Sequence, residues 1–347
     1  MSSENSINKK TAYYPALDGL RTLAVSFVIL GHVVDSSCLY RGAVAELAKL
    51  GVQLFFVLSG FLITQILLAE ELRNSKIDIK NFYFRRILRI VPAFYFLLFV
   101  VFILILLGYV TDVNWKTFIV SALFLRNIFG SSETLGHTWS LGVEEQFYVI
   151  WPILLKYVKP HQRLIATLVL AISVMIFRDL TFIFNPQDYT SGIIYMRPYY
   201  RFDSLMLGCA IAIFIFNGGI REKVVESSSV GWMVVALLLI WSVLAKEFYF
   251  GRIFYLSVQN ILCCILLLYL LKSRGILQRV FSFGLFKQSA KYSYSLYLWQ
   301  QIFLFTKTPD WGMLREFPIN IALACLMAVF SYHCIEKPFL NLRDKLK

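Results

Sequence analysis

An arginine and a histidine, Arg21 and His32, share the first apolar run of the chain, eleven residues apart. At 100° per residue this spacing is about three turns plus 20°, so a helix puts both side chains on one face, about 16 Å apart along its axis. An ionisable group inside an apolar run is costly and marks a functional site by default. Asp18 lies one turn before Arg21 near the same stripe, which suits an Asp18–Arg21 pair. The guanidinium could bind an anion or orient a ligand, and an imidazole in apolar surroundings keeps the neutral form that accepts a proton. The competing reading is a polar pair that packs helices together, beside a satisfied core histidine.

Three further constellations carry chemistry. In F-Y-F-R-R-I-L-R-I-V-P, residues 82–92, Arg86 and Arg89 are three apart and fall on one helix face. Two guanidiniums so placed suit phosphates, which arginine binds bidentately. The alternative is anchoring at the membrane surface by snorkelling, which is also the reading for Arg85. In H-T-W-S-L-G-V-E-E-Q-F-Y, residues 137–148, Ser140, Glu144 and Phe147 share a helix side, and Glu145 is rotated away from it. Glu144 could orient an imidazole, act as a base itself, or cap structure. His137 and Ser140 are candidates on the same terms. In R-F-D-S-L-M-L-G, Arg201 and Asp203 open a helix, either as contacts for an acceptor or as an interfacial ion pair. Glu336, before Lys337-Pro338, reads as the end of the last helix and the neutraliser of a basic neighbour.

The elements that must position these residues are membrane helices. The chain is 58% hydrophobic and 16% charged, with a mean hydropathy of +0.66, well beyond a soluble domain. Apolar runs at 16–35, 51–69, 90–110, 140–158, 164–184, 199–217, 230–246, 254–271, 291–306 and 317–336 predict an all-α polytopic bundle of ten crossings. The net charge of +13 would suggest nucleic acid in a soluble protein. Here the basic residues fall in short connections between apolar runs, so they read as topology, with no nucleic-acid partner. Lys9 and Lys10, the cluster Arg73 to Arg86, Lys156 to Arg163, Arg221 with Lys223, Lys272 to Lys291, and Lys337 to Lys347 all fall on one side. That holds if both termini are cytoplasmic and the weaker apolar stretch at 116–130 is re-entrant, walling a cavity rather than crossing. The expected division is a tail at 1–14, a membrane domain at 15–337 and a second tail at 338–347. The six cysteines show no C-x-x-C pair and no metal-ligand spacing, so no metal is expected.

Taken in order, these fragments resemble the acyltransferase family 3 membrane proteins, which include bacterial O-antigen and exopolysaccharide O-acetylases. The resemblance runs from Leu17-Asp18-Gly19-Leu20-Arg21 with His32, through G-V-Q-L-F-F-V-L-S-G-F-L at 51–62 and Arg86, Arg89 and Pro92, to Trp139-Ser140-Leu141 with Glu144, Phe147 and Tyr148. It implies a multi-pass protein of the bacterial inner membrane, of the stand-alone type. It also implies transfer of an acyl group, acetyl first, from cytoplasmic acyl-CoA to a hydroxyl of a surface polysaccharide or its lipid-linked precursor. Arg21 and His32 would then be catalytic, supported by Glu144, and Arg86 and Arg89 would contact the donor. Direct transfer and a covalent acyl-histidine both stay open, and a glycolipid transporter is the rival class. One residue departs from the pattern: relatives often carry histidine where this chain has Gln300.

Overall fold

The computed structural model describes residues 13–33, 41–187, 192–219, 227–304 and 312–345. Helices occupy all ten places expected from the apolar runs: α1 Pro15–Val33, α2 Arg41–Asn74, α3 Ile79–Leu106, α4 Trp115–Ala122, α5 Thr138–Tyr157, α6 Arg163–Phe184, a short α7 Ile193–Met196, α8 Phe202–Phe216, α9 Ser228–Leu244, α10 Tyr249–Lys272, α11 Ile276–Phe281, α12 Gly284–Ala290, α13 Ser293–Leu304, α14 Ile319–Ser331 and α15 Lys337–Asp344. Among the described residues, seven helices are long and apolar enough to span a bilayer by themselves. The other three of the ten are α5, α8 and α13. Helix α5 carries Glu144, Glu145 and Gln146, α8 has only 15 residues, and the 12 described residues of α13 run up to an undescribed stretch. The chain is an all-α polytopic membrane protein.

Two helices begin about ten residues earlier than their apolar runs. The segment A-V-A-E-L-A-K extends α2 backwards because its residues favour helix. Helix α3 starts at Ile79, where the side chain of Asp78 caps Asn81 N–H at 3.0 Å. As a result, Arg85, Arg86 and Arg89 sit within a regular helix with fixed azimuths.

The stretch expected to be re-entrant contains α4, eight residues and so about 12 Å long, too short to cross. After α4 the chain runs irregularly to α5, and its polar backbone is held by protein. Gln146 donates to the Phe124 carbonyl at 2.8 Å, and Arg126 donates to the carbonyl of Gly130 at 2.8 Å. Asp112 gathers the next turn, accepting from Ser132 Oγ at 2.8 Å, Glu133 N–H at 2.7 Å, Thr134 N–H at 2.9 Å and Thr134 Oγ1 at 2.7 Å.

Helix α2 is the central element, packed along α1 on one side and α8 on the other. The α2–α8 contact is made by glycine. A Cβ on Gly60 would stand 1.9 Å from the Leu205 carbonyl oxygen, and one on Gly208 would stand 2.0 Å from that of Val57. Small residues let membrane helices approach this closely. One core of buried side chains joins α1, α2, α9 and α10. A second joins α2, α5 and α8, and a third joins α3, α13 and the start of α5.

The end of the chain differs from expectation. Glu336 does not stop the last helix. Helix α14 widens into a π-helical turn, Tyr332–Glu336, and continues as α15, which packs on α3. Pro338 is tolerated because it enters in the first turn of α15. Glu336 is buried and accepts from Ser295 of α13, not from a basic neighbour. Residues 338–344, expected as a tail, are therefore part of the bundle.

Candidate active site

Helix α1 carries Arg21 near one end and His32 in its last turn, and each meets a different group of partners. At the Arg21 level, Asp18 stands 3.7 Å from the guanidinium as expected, and its other oxygen accepts from Tyr13 at 2.5 Å. Arg86 of α3 pairs with Glu145 of α5 at 2.8 Å and lies over the Tyr148 ring, 3.5 Å from its centroid. Glu145 is thus not turned away from the site. The face that diverges from Glu144 by 100° is the one α3 meets. Arg85, expected as a plain anchor, pairs instead with the buried Glu70 at 3.0 Å.

Arg89 is the exception. It is exposed, and among the described residues it makes no hydrogen bond or ion pair. Charges that act on it include those of Arg21, Arg86 and Arg343 and the carboxylate of Glu336. Residues from α1 and α3 that are remote in sequence therefore form a three-arginine cluster, with a fourth cation from α15. Such a cluster suits an anion with several charged oxygens.

Glu144 belongs to the same level. Its Oε1 accepts from Ser59 Oγ of α2 at 2.7 Å, and its charge reaches Arg21 and Arg86. It does not support His32 as expected: one helix turn separates Glu144 from Ser140, and α5 runs antiparallel to α1, so Glu144 lies towards the arginines. Ser59, the serine of V-L-S-G-F, had no assigned chemistry in the sequence.

At the other level, His32 Nδ1 lies 2.5 Å from Gln300 Oε1 on α13. Gln300 Nε2 donates to Gln301 Oε1 at 3.4 Å, and Gln301 Nε2 donates to the Glu133 carbonyl at 2.7 Å. Tyr297, one turn earlier on α13, donates to the His137 carbonyl at 2.9 Å and bonds to Ser140 Oγ. His137 is 5% exposed, its ring edge-on to Tyr297 with centroids 5.6 Å apart. Ser140 and His137 therefore pack the start of α5 against α13 rather than opening onto an outer surface. The position that departs from the family pattern, Gln300, is the one that touches His32.

Arg201 and Asp203 are both fully buried and do not pair with each other. Residues two apart point to different sides of a helix. Arg201 donates to Gln53 Oε1 and lies between the rings of Phe56 and Tyr195, at 5.2 Å and 4.8 Å. Asp203 accepts from Arg178 at 2.6 Å and from Asn260 at 2.7 Å. They tie α2, α6, α8 and α10 together inside the bundle, so the alternative of an interfacial pair is not formed. Arg178 and Asp179 were legible as ionisable groups within an apolar run and were passed over. A cavity of about 340 Å³ opens between α2, α6 and α8, lined by Leu68, Glu71, Arg163 and Phe216, and contains none of these site residues. Among the described residues no group of three or more His, Cys, Asp or Glu side chains could hold a metal ion.

The model of the acyltransferase domain known as acyltransferase 3 matches residues 14–335, a span that includes Arg21, His32, Arg86, Arg89, Glu144 and Gln300. The chain belongs to the acyltransferase 3 family. Among curated proteins of this family, the peptidoglycan O-acetyltransferase OatA of Listeria monocytogenes is 29% identical, over 94% of this chain and 56% of the relative. The O-acetyltransferase OatA of Staphylococcus aureus is 30% identical, over 94% of this chain and 57% of the relative. The chain thus spans a little over half the length of the curated relatives it matches. No solved structure matches it.

Proposed function

We propose that this acyltransferase 3 protein is a membrane O-acetyltransferase that moves acetyl from acetyl-CoA to a hydroxyl of a cell-surface glycan. One observation carries the reading: α1 presents Arg21 within a cluster of guanidiniums and His32 about 16 Å further along the same face. An anion-binding end and a proton-accepting end on one rigid helix match a donor with phosphates at one end and a reactive thioester at the other.

Arg89, unpaired, and Arg86, already oriented by Glu145, would hold the phosphates, with Arg21 beside them. Bound acetyl-CoA supplies an activated carbonyl. His32 takes the proton of the acceptor hydroxyl as its oxygen bonds to that carbonyl carbon, and returns the proton to the sulfur as the C–S bond breaks. Atoms and charge balance without a metal. Glu144, held by Ser59, offsets the positive charge of the arginine cluster.

With the basic connections on the cytoplasmic side, the arginine level would face the cytoplasm and His32 the outer side, with both termini inside. The acceptor then enters from the outer side, near the turn held by Asp112. Similarity to a peptidoglycan O-acetyltransferase favours peptidoglycan over an O-antigen or exopolysaccharide as the acceptor. The protein in detergent, incubated with radiolabelled acetyl-CoA and a soluble glycan acceptor, should transfer label. His32→Ala should abolish transfer while donor binding persists. Full transfer by His32→Ala would overturn the reading, and so would transport of an intact glycolipid without any use of the donor.

A further inference from the structure

The hydrogen bonds around His32 have a direction, and that direction can be read without seeing a proton. A backbone carbonyl can only accept, so at the Glu133 oxygen, 2.7 Å away, Gln301 must present its NH₂ group. The carbonyl end of Gln301 then faces Gln300, whose NH₂ meets it at 3.4 Å. With its NH₂ so committed, Gln300 turns its oxygen to His32 Nδ1, 2.5 Å away. An imidazole nitrogen facing an oxygen acceptor must carry the proton. On these contacts each amide orientation passes to the next, and the last in the series is the tautomer of the histidine.

We propose that Gln301 and Gln300 are positioning residues that set His32 as the Nδ1–H tautomer, with the lone pair on Nε2. The proposal rests on His32 being the base of the transfer reaction. Both glutamines are buried, at 0% and 3% exposure, so water does not compete for their amides. The far end of the relay is anchored as well. The Glu133 peptide belongs to the turn that Asp112 holds through two backbone N–H groups and two hydroxyls. The Glu133 carbonyl has a second donor, Gly136 N–H at 3.1 Å, which fixes its orientation. The irregular segment between α4 and α5 therefore reaches the reacting histidine through two side chains. A base in the wrong tautomer is a poor base even when its ring is well placed.

The chain has four histidines, so protein labelled only with ¹⁵N-histidine gives a tractable spectrum in which His32 is assigned by its loss in His32→Asn. The expected result is the Nδ1–H pattern for His32 in the wild type and a mixture of tautomers in Gln300→Met. Gln300→Met keeps the length of the side chain and removes the acceptor, and should lower kcat by about tenfold or more with little change in the KM for acetyl-CoA. Gln300→Glu keeps an acceptor facing Nδ1 and should retain most of the rate and the wild-type tautomer. Gln301→Met should resemble Gln300→Met in milder form, because Gln300 can then turn over. An Nε2–H pattern in the wild type overturns the proposal, and so does an unchanged tautomer and kcat in Gln300→Met. A fully active His32→Ala would instead overturn the role of His32 in transfer while leaving the tautomer measurement standing.

Discussion

The two arginines of α3 have the same sequence credentials and different situations in the fold. Arg86 is neutralised by Glu145 and covered by Tyr148, whereas Arg89 makes no ion pair among the described residues and lies near Arg21, Arg86 and Arg343 as well as Glu336. A cation held against like charges gains more from an incoming phosphate than one that already has a carboxylate. Arg89→Ala should therefore raise the KM for acetyl-CoA by about tenfold with kcat nearly unchanged. Arg86→Ala should also lower thermal stability, because it strands Glu145 without its counter-ion. Removing both, as Arg86→Ala with Glu145→Ala, should recover part of that stability. Equal KM values for the wild type and Arg89→Ala would show that Arg89 does not meet the donor. Arg21, His32 and their common face were legible from spacing, as were the Asp18–Arg21 pair and the shared face of Arg86 and Arg89. The partners were not. A helical angle says which residues share a face, and only packing says which neighbour that face meets. Glu145 was misjudged for this reason, and Gln300 was noticed as a departure with no sign that it touches His32.

Of all the elements, the segment between α3 and α5 is the one where function depends on irregular backbone. The positions of the basic connections, with its weaker apolarity, were enough to predict that it would not cross. Its internal order was not legible, because it comes from a side chain outside the stretch itself. Asp112 lies in the connection after α3, and burial alone would push its carboxyl up. The N–H and hydroxyl of Thr134, with Ser132 and the Glu133 N–H, outweigh that and hold it below the usual carboxylate range. An unfolded aspartate titrates near pH 4, so the lowered folded value gives a stabilisation that is complete above about pH 4. That stabilisation is lost as the pH falls through the folded value. In thermal unfolding in detergent, Asp112→Asn should be less stable than the wild type at pH 7, and the gap should close as the pH approaches 3. A gap independent of pH would mean that the turn is held by something other than this carboxylate. The long helices show the opposite balance. Their existence and order followed from apolar runs, while α2 and α3 extended well beyond those runs because propensity and a cap, not hydropathy, set their ends.

Across the whole molecule, the proposed reading assigns each level of the site to one side of the membrane, and this makes orientation a functional question. Among the described residues, three of the ten expected crossings do not count as spans by themselves, α13 because only 12 of its residues are described, and two of the three, α5 and α13, carry site residues. A helix surrounded by protein can spend its surface on Glu144, Glu145, Gln300 and Gln301, which a lipid-facing helix could not. The proposed direction of the bundle rests on Arg73, Lys76 and Lys80, in and beside the α2–α3 connection, against the α3–α4 connection, whose 106–114 stretch has no lysine or arginine. Basic connections stay in the cytoplasm. A cysteine at Lys76 should therefore react with a membrane-impermeant maleimide only after the cells are opened. A cysteine at Thr111, an exposed position beside Asp112, should react in intact cells from which any outer barrier has been removed. The reverse pattern would put the arginine cluster on the outer face, away from any cytoplasmic donor. The assignment of Arg86 and Arg89 to acetyl-CoA could not survive that result, even if His32 still proved essential.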